Sequence, residues 1–180
     1  MPPATDDILA HVAEGSAPLL VLVGLPGSGK STWSAQFLSV RPGFRVVSTD
    51  DCRQRLYGDA ALQGDWRRVW ACVQTEWQQG LEAITQGHLA GILYDATNAR
   101  RRHRRSALVA ARQMGFNPLV LVWIDVPLSV ALARNRQRSR QVPDDVIAAM
   151  HRSLQGAPPA LADGADQVIH IPIPSLEGQA

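Results

Sequence analysis

Residues 19–31 read "LLVLVGLPGSGKS". Five apolar residues in a row, β-branched at Val21 and Val23, form the pattern of a strand buried on both faces, as in a parallel sheet. The turn behind them, Gly24, Leu25, Pro26, Gly27, Ser28, Gly29, Lys30 and Ser31, matches G-x-x-x-x-G-K-[ST]. "STWSAQFLSV" (31–40) then carries Trp33, Phe37 and Val40 at helical spacing. Strand, glycine turn and helix in that order make an anion cradle. The glycines let backbone N–H groups turn inward around phosphate oxygens, and the helix N-terminus adds its positive end. Lys30 is placed to reach the β- and γ-phosphates of ATP. The Ser31 hydroxyl, with Thr32 beside it, offers a ligand for Mg²⁺. A glycine turn without a ligand is the bland alternative, and composition weighs against it. The chain has 18 basic residues, and Lys30 is the only lysine among them.

Outward from this stretch, apolar runs recur at "GFRVVST" (43–49), "GILYDA" (91–96), "NPLVLVWIDV" (117–126) and "DQVIHIPI" (166–173). Helical patterns separate them: 65–87, 100–114, one beginning at Pro127, and one from Pro143 to residue 154. Alternation of this kind predicts an α/β domain with a parallel sheet, helices on both faces and right-handed crossovers. The 180 residues suit one domain over 1–180, with a core of about 18–173. Apolar residues make up 46% and charged residues 19%, an ordinary globular profile. "APLLVLVG" falls far short of the roughly 20 residues that span a bilayer. The first fifteen residues are acidic and lack an apolar signal core. The expected compartment is the cytoplasm, with no membrane partner. Cys52 and Cys72 are expected to be packed thiols, not a disulfide.

Net charge is only +2, but it is unevenly spread. Between residues 100 and 140, arginines face a single acid, Asp125, a local field suited to a polyanion. Four short segments carry candidate chemistry. "STDDCR" (48–53) follows the second strand, at the sheet edge where α/β folds gather ligands. If a helix starts near Asp51, Asp50 caps it and Arg53 lies one turn on. The carboxylate can take a hydroxyl proton and the guanidinium can grip an acceptor phosphate; a plain helix cap beside a surface ion pair remains the alternative. "LYDATN" ends the third strand with Asp95, a candidate Mg²⁺ ligand or an Asx cap, followed by Thr97 and Asn98 as candidate acceptor contacts. "ARNRQRSRQVP" spaces Arg134, Arg136, Arg138 and Arg140 along a break between helices, as a lid over a triphosphate or as a solvated helix end. "RRRHRR" (100–105) opposes the dipole at a helix start and either serves an anion or stays solvated. The stripe Trp66, Trp70, Val73, Trp77, Leu81 and Ile84 reads as core in preference to a base-stacking platform. The histidines show no metal spacing.

Taken together, "GLPGSGKST", "STDDCR", "YDATN", "ARNRQRSR" and "VPDDVI" resemble the P-loop 5′-hydroxyl polynucleotide kinases of the bacteriophage type, within a wider group of small P-loop kinases. The resemblance runs from about residue 18 to residue 154. It implies a P-loop NTPase fold of the adenylate-kinase-like kind, a five-stranded parallel sheet in the order 2-3-1-4-5, with an arginine-bearing lid at about 134–142. It implies ATP and Mg²⁺ as cofactors, held by Gly24, Pro26, Gly27, Ser28, Gly29, Lys30, Ser31 and Thr32. It implies Asp50 as general base, Arg53 on the phosphate 3′ to the accepting nucleoside, Arg134 and Arg138 on the ATP phosphates, and Asp95 near Mg²⁺ or the lid. The expected acceptor is the 5′-hydroxyl of DNA or RNA. A small-molecule kinase of the same fold and a non-catalytic ATP-binding switch are the rival readings. Two departures stand out: Cys52 replaces a usual aromatic residue, and 180 residues leave no room for the phosphatase domain of the phage enzyme.

Overall fold

A computed structural model describes residues 15–174. The first apolar run forms β1 (Leu19–Val23), every residue of it buried. It is the middle strand of a parallel sheet ordered β2-β3-β1-β4-β5, with β2 (Phe44–Ser48), β3 (Gly91–Asp95), β4 (Leu119–Asp125) and β5 (Gln167–Pro172). This is the order that the resemblance implied. β1 pairs with β4 along its full length, from Leu19 opposite Leu119 to Val23 opposite Trp123. On its other side Leu19 lies opposite Ile92 of β3. Side chains alternate across a strand, so β1 feeds two cores. Leu19, Val21 and Val23 join Val73, Trp77 and Leu108 on one face. Leu20 and Leu22 join Trp33 and Phe37 on the other.

Six α-helices connect the described strands: α1 (Lys30–Val40), α2 (Thr49–Tyr57), α3 (Trp66–Thr85), α4 (Arg101–Met114), α5 (Leu128–Arg136) and α6 (Asp144–Gly156). The sequence reading left α2 as a helix start only, and its cap is not the one expected. Ser48 caps α2, its hydroxyl accepting the N–H groups of Asp50 at 3.1 Å and Asp51 at 3.5 Å. Serine at the end of a strand is a strong cap because its oxygen reaches the free donors of the first turn. Both aspartates are therefore released from capping and stand in that first turn. Pro127 and Pro143 likewise stand at the cap positions, one residue before their helices.

The tryptophan stripe divides where a uniform core was expected. Val69, Val73, Trp77 and Gly80 are buried beneath α3. Trp66, in the first turn, keeps 50% of its surface exposed. Burial along α3 starts at Val69, one turn after Trp66. The thiols behave as expected. Cys52 is buried, Cys72 is half-buried, and both are free. Burial and the neighbouring Cys72 push the Cys52 thiol up to about 12. Among the described residues no helix is long and apolar enough to cross a membrane. The expectations for the first fourteen residues, and for the tail from residue 175, lie outside the described residues.

One charged pair is sealed in the core. Arg104, fully buried, donates from Nε to Asp163 at 2.9 Å and from its Nη atoms to the carbonyls of Ala99 at 3.0 Å and Ala157 at 2.7 Å. Arg101 holds the second Asp163 oxygen at 2.7 Å. The "RRRHRR" stretch is thus neither wholly solvated nor wholly given to an anion. Arg104 is a brace that ties α4 to the segment leading into β5. A buried guanidinium stripped of its carboxylate is costly. Asp163→Ala is expected to lower unfolding stability by about 3–5 kcal/mol, read as a fall in urea midpoint. Arg101→Ala removes a half-exposed partner, and its expected cost is no more than about 1 kcal/mol.

Candidate active site

The phosphate loop joins β1 to α1 and is built from tight backbone contacts. Gly27 and Gly29 hold φ of 80° and 101°, the left-handed region that a side chain resists. The Gly24 N–H donates to the Thr97 carbonyl at 3.1 Å, locking the loop to the turn after β3. Inside the loop the Lys30 ammonium donates to the carbonyls of Gly24 at 3.0 Å and Leu25 at 2.9 Å. The residue keeps some access to the cleft, yet burial of its ammonium lowers its pKa to about 8. Asp95 opposes that shift and Arg138 adds to it. The Ser28 hydroxyl is buried without a hydrogen-bond partner among the described residues. An unpaired polar atom inside a ring of inward-turned backbone is what an anion cradle leaves for its ligand.

The candidate base lies on the next strand's edge. Ser48, ending β2, sets the first turn of α2, and Asp50 emerges into the cleft. Arg53 donates to one Asp50 oxygen at 2.8 Å. Arg140 donates to the other at 3.0 Å. The sequence reading named Arg134 and Arg138 as lid residues with specific roles and gave none to Arg140. The alternating arginines of the lid were the available signal. Arg134 comes within 3.5 Å of the Ser28 carbonyl. Arg138 acts electrostatically on both Lys30 and Asp95. The lid therefore reaches across the phosphate loop to the base, and Asn135 holds it in shape. Asn135 is buried and exchanges hydrogen bonds with the Val142 backbone at 2.8 and 3.0 Å. That clasp was not legible beforehand, because an Asn in a polar stretch has many other uses.

Asp95 ends β3 on the cleft wall. Its pKa is raised, first by burial and then by the charges of Asp50 and Asp51, while Lys30 and Arg138 pull it down. A carboxylate held in that balance is a fitting ligand for a cation. Thr97 lines the same cleft. Asn98 does too, but its side-chain amide is already engaged, donating to the Leu22 carbonyl at 2.8 Å from a buried position with φ of 46°. It braces β1 behind the phosphate loop.

All these groups open on one cleft of about 1830 Å³. Sheet order spreads its contents. Asp50, Arg53 and Asp95 stand beyond β2 and β3, the phosphate loop beyond β1, and the lid beyond β4. Such an edge can hold a triphosphate in the middle and an acceptor on the β2–β3 side.

Comparison with known proteins agrees with the resemblance. A family model described as an AAA domain matches residues 19–157. A protein of Autographa californica nuclear polyhedrosis virus, named putative bifunctional polynucleotide kinase/RNA ligase, is 29% identical over 141 residues, covering 71% of this chain and 19% of that protein. The L-seryl-tRNA(Sec) kinase of Methanococcus maripaludis is 23% identical over 139 residues, covering 76% of this chain and 52% of that one. The chain thus spans about half or less of the length of these relatives. Among solved structures, a chain of the Pnkp1/Rnl/Hen1 RNA repair complex superposes with a TM-score of 0.66 at 22% identity, over 82% of this chain and 47% of that one, a likeness of fold.

The loop geometry predicts a sharp glycine requirement. A Cβ on Gly27 would stand 2.5 Å from the Ala131 carbonyl and 3.2 Å from the Asn135 N–H, pressing α5 and its Arg134 away from the loop. Gly27→Ala is expected to cost about 1–3 kcal/mol of stability and to weaken ATP binding in calorimetry. Gly156→Ala, whose Cβ meets nothing within 4 Å, is expected to change stability by less than about 1 kcal/mol.

Proposed function

The chain belongs to the AAA domain family, and from that membership we propose that it is an Mg·ATP-dependent kinase whose acceptor is the 5′-hydroxyl of DNA or RNA. One observation carries the proposal. Asp50 stands in the same cleft as the phosphate loop and is held by Arg53 at 2.8 Å. Hydrolysis of ATP requires only a positioned water, whereas transfer to a hydroxyl calls for a base and a second anion grip. Arg53 supplies the grip. Its Nε is buried with no partner among the described residues, so it has donors left after Asp50 is served. The polynucleotide kinase name of the viral relative supports the acceptor class.

The chemistry follows from these positions. Asp50 takes the proton of the acceptor hydroxyl as that oxygen bonds to the γ-phosphorus and the bond to the departing ADP oxygen breaks. Both Asp50 oxygens are engaged by arginines, so the hydroxyl displaces Arg140 from its oxygen and leaves Arg53 to orient the carboxylate. Lys30 leaves its two loop carbonyls for phosphate oxygens. Arg134 and Arg138 face the same charge from the lid, as fixed cations placed where charge moves. Ser31 and Asp95, which line the same cleft, would hold Mg²⁺. The ion neutralises phosphate charge when bound.

The decisive experiment offers γ-labelled ATP and a 5′-hydroxyl oligonucleotide at saturating Mg²⁺. Label is expected at the 5′ end, and its absence from DNA and RNA strands alike would reject this acceptor. Asp50→Asn is expected to lower transfer by about 10²–10⁴-fold with ATP binding retained; undiminished transfer would move the role of base elsewhere. Lys30→Ala is expected to abolish transfer in a protein that still unfolds cooperatively.

A further inference from the structure

Trp66 and Trp70 have no part in the chemistry above, yet both line the catalytic cleft. Their rings are stacked, with centroids 6.1 Å apart and planes 20° from parallel. Trp70 rests edge-on against Trp77 at 5.4 Å, and Trp77 is fully buried and packs in turn on Tyr94 at 5.1 Å. The outer ring is exposed while the inner ones are anchored. A half-exposed tryptophan is an expensive residue to leave in water unless something covers it.

The chain leading into this pair is fixed. Asp65 caps α3, accepting the Arg67 N–H at 2.9 Å. The Tyr57 hydroxyl receives the Asp65 N–H at 3.0 Å. Gly64, at φ of 55°, lies so close to the Tyr57 ring that a Cβ there would stand 2.3 Å from it. The end of α2 thus sets the start of α3, and the rings are presented by a rigid corner instead of a free loop. The two helices also fix the level of the platform relative to Asp50. Arg55 reaches the sulfurs of both Cys52, at 3.6 Å, and Cys72, at 3.7 Å. Arg55 thus ties α2 to α3 at Cys72, and Trp66 precedes Cys72 by six residues, about 9 Å of helix. The same cleft is also lined by Arg53, Arg100 and Arg102.

Aromatic faces and guanidinium groups that line one cleft have the composition of a single-strand nucleic-acid site: bases stack and phosphates pair. A peptide or an acidic metabolite would use the arginines and leave the rings idle. We propose that Trp66 and Trp70 form a stacking platform for the nucleobase of the 5′-terminal nucleotide. This rests on the kinase reading, and it adds that the enzyme senses the base, favouring an unpaired end over one whose base is tied up in a duplex.

The test compares acceptors that differ only at that base. A 5′-hydroxyl oligonucleotide and the same strand with an abasic first residue are phosphorylated by the wild-type protein and by Trp66→Ala. The expected wild-type preference in kcat/KM for the intact end is about tenfold, and the ratio falls towards one in Trp66→Ala. A second variant, Gly64→Ala, displaces the corner without touching either ring and is expected to reduce the ratio as well. A 2-aminopurine first base gives a reading that needs no turnover: its fluorescence is quenched on binding to the wild type and less so by Trp66→Ala. An equal wild-type rate on intact and abasic ends, or a ratio untouched by Trp66→Ala, overturns the platform even where transfer is robust. Quenching that depends on Trp66 in a protein that transfers no phosphate upholds the platform and rejects the kinase reading instead.

Discussion

The structure depends on one constraint, the burial of β1 on both faces. A strand with parallel neighbours on each side and helices above and below has no polar surface to show, and Leu19 to Val23 show none. That arrangement forces the chain out of the sheet at a single edge, in the middle of five strands. The glycine turn at the exit has little freedom. It is tied to the turn after β3 through the Gly24 and Thr97 backbones, and Asn98 returns to the Leu22 carbonyl behind it. The phosphate loop is rigid because its foundation is the most enclosed strand in the domain.

From that edge the electrostatics form a single coupled group. Lys30 and Asp95 each feel the other, Asp50 and Arg138, and Asp50 is bridged to the lid by Arg140. Each carboxylate sits in reach of more than one cation. In a partly buried site such interactions are strong, and a shift in one group alters the others. Arg140 is the informative contact. It joins the segment that follows β4 to Asp50, which follows β2, so whatever draws Arg140 away frees one Asp50 oxygen.

Much of this was legible in the sequence because it rests on local rules. The apolar run, the glycine turn and the helix after it follow from periodicity and backbone sterics, and strand–helix alternation led to the sheet. Asp50 and Arg53 were visible as a pair because they stand three positions apart, one helical turn. What escaped notice depends on residues distant in the chain. The Arg104–Asp163 pair joins positions 59 apart, and Arg140 meets Asp50 across 90. The cap of α2 was assigned to Asp50 because aspartate and serine compete for the same role; only the strand's end shows that Ser48 reaches it first. The tryptophan stripe misled for another reason. Periodicity says which face of a helix turns inward but not how far along the helix burial extends, and in α3 it starts only at Val69.

The single lysine remains to be explained. Every other cation in the chain is arginine, and the loop shows why this one is not. Lys30 packs its ammonium against two carbonyls, Gly24 and Leu25, inside a turn where glycines have removed every spare side chain. A guanidinium is planar and broad, with its donors splayed in a fixed fork, and it cannot leave such a pocket for a phosphate by rotation alone. An ammonium is compact, carries three donors on a freely turning carbon, and can exchange carbonyl partners for phosphate oxygens without moving the backbone. It can also tolerate burial, which lowers its pKa to about 8, while Asp95 stands near enough to restore part of the charge. Arginine suits places where planar, forked pairing is wanted, as between Asp50 and both Arg53 and Arg140. Lysine suits the one place where the cation has to be small.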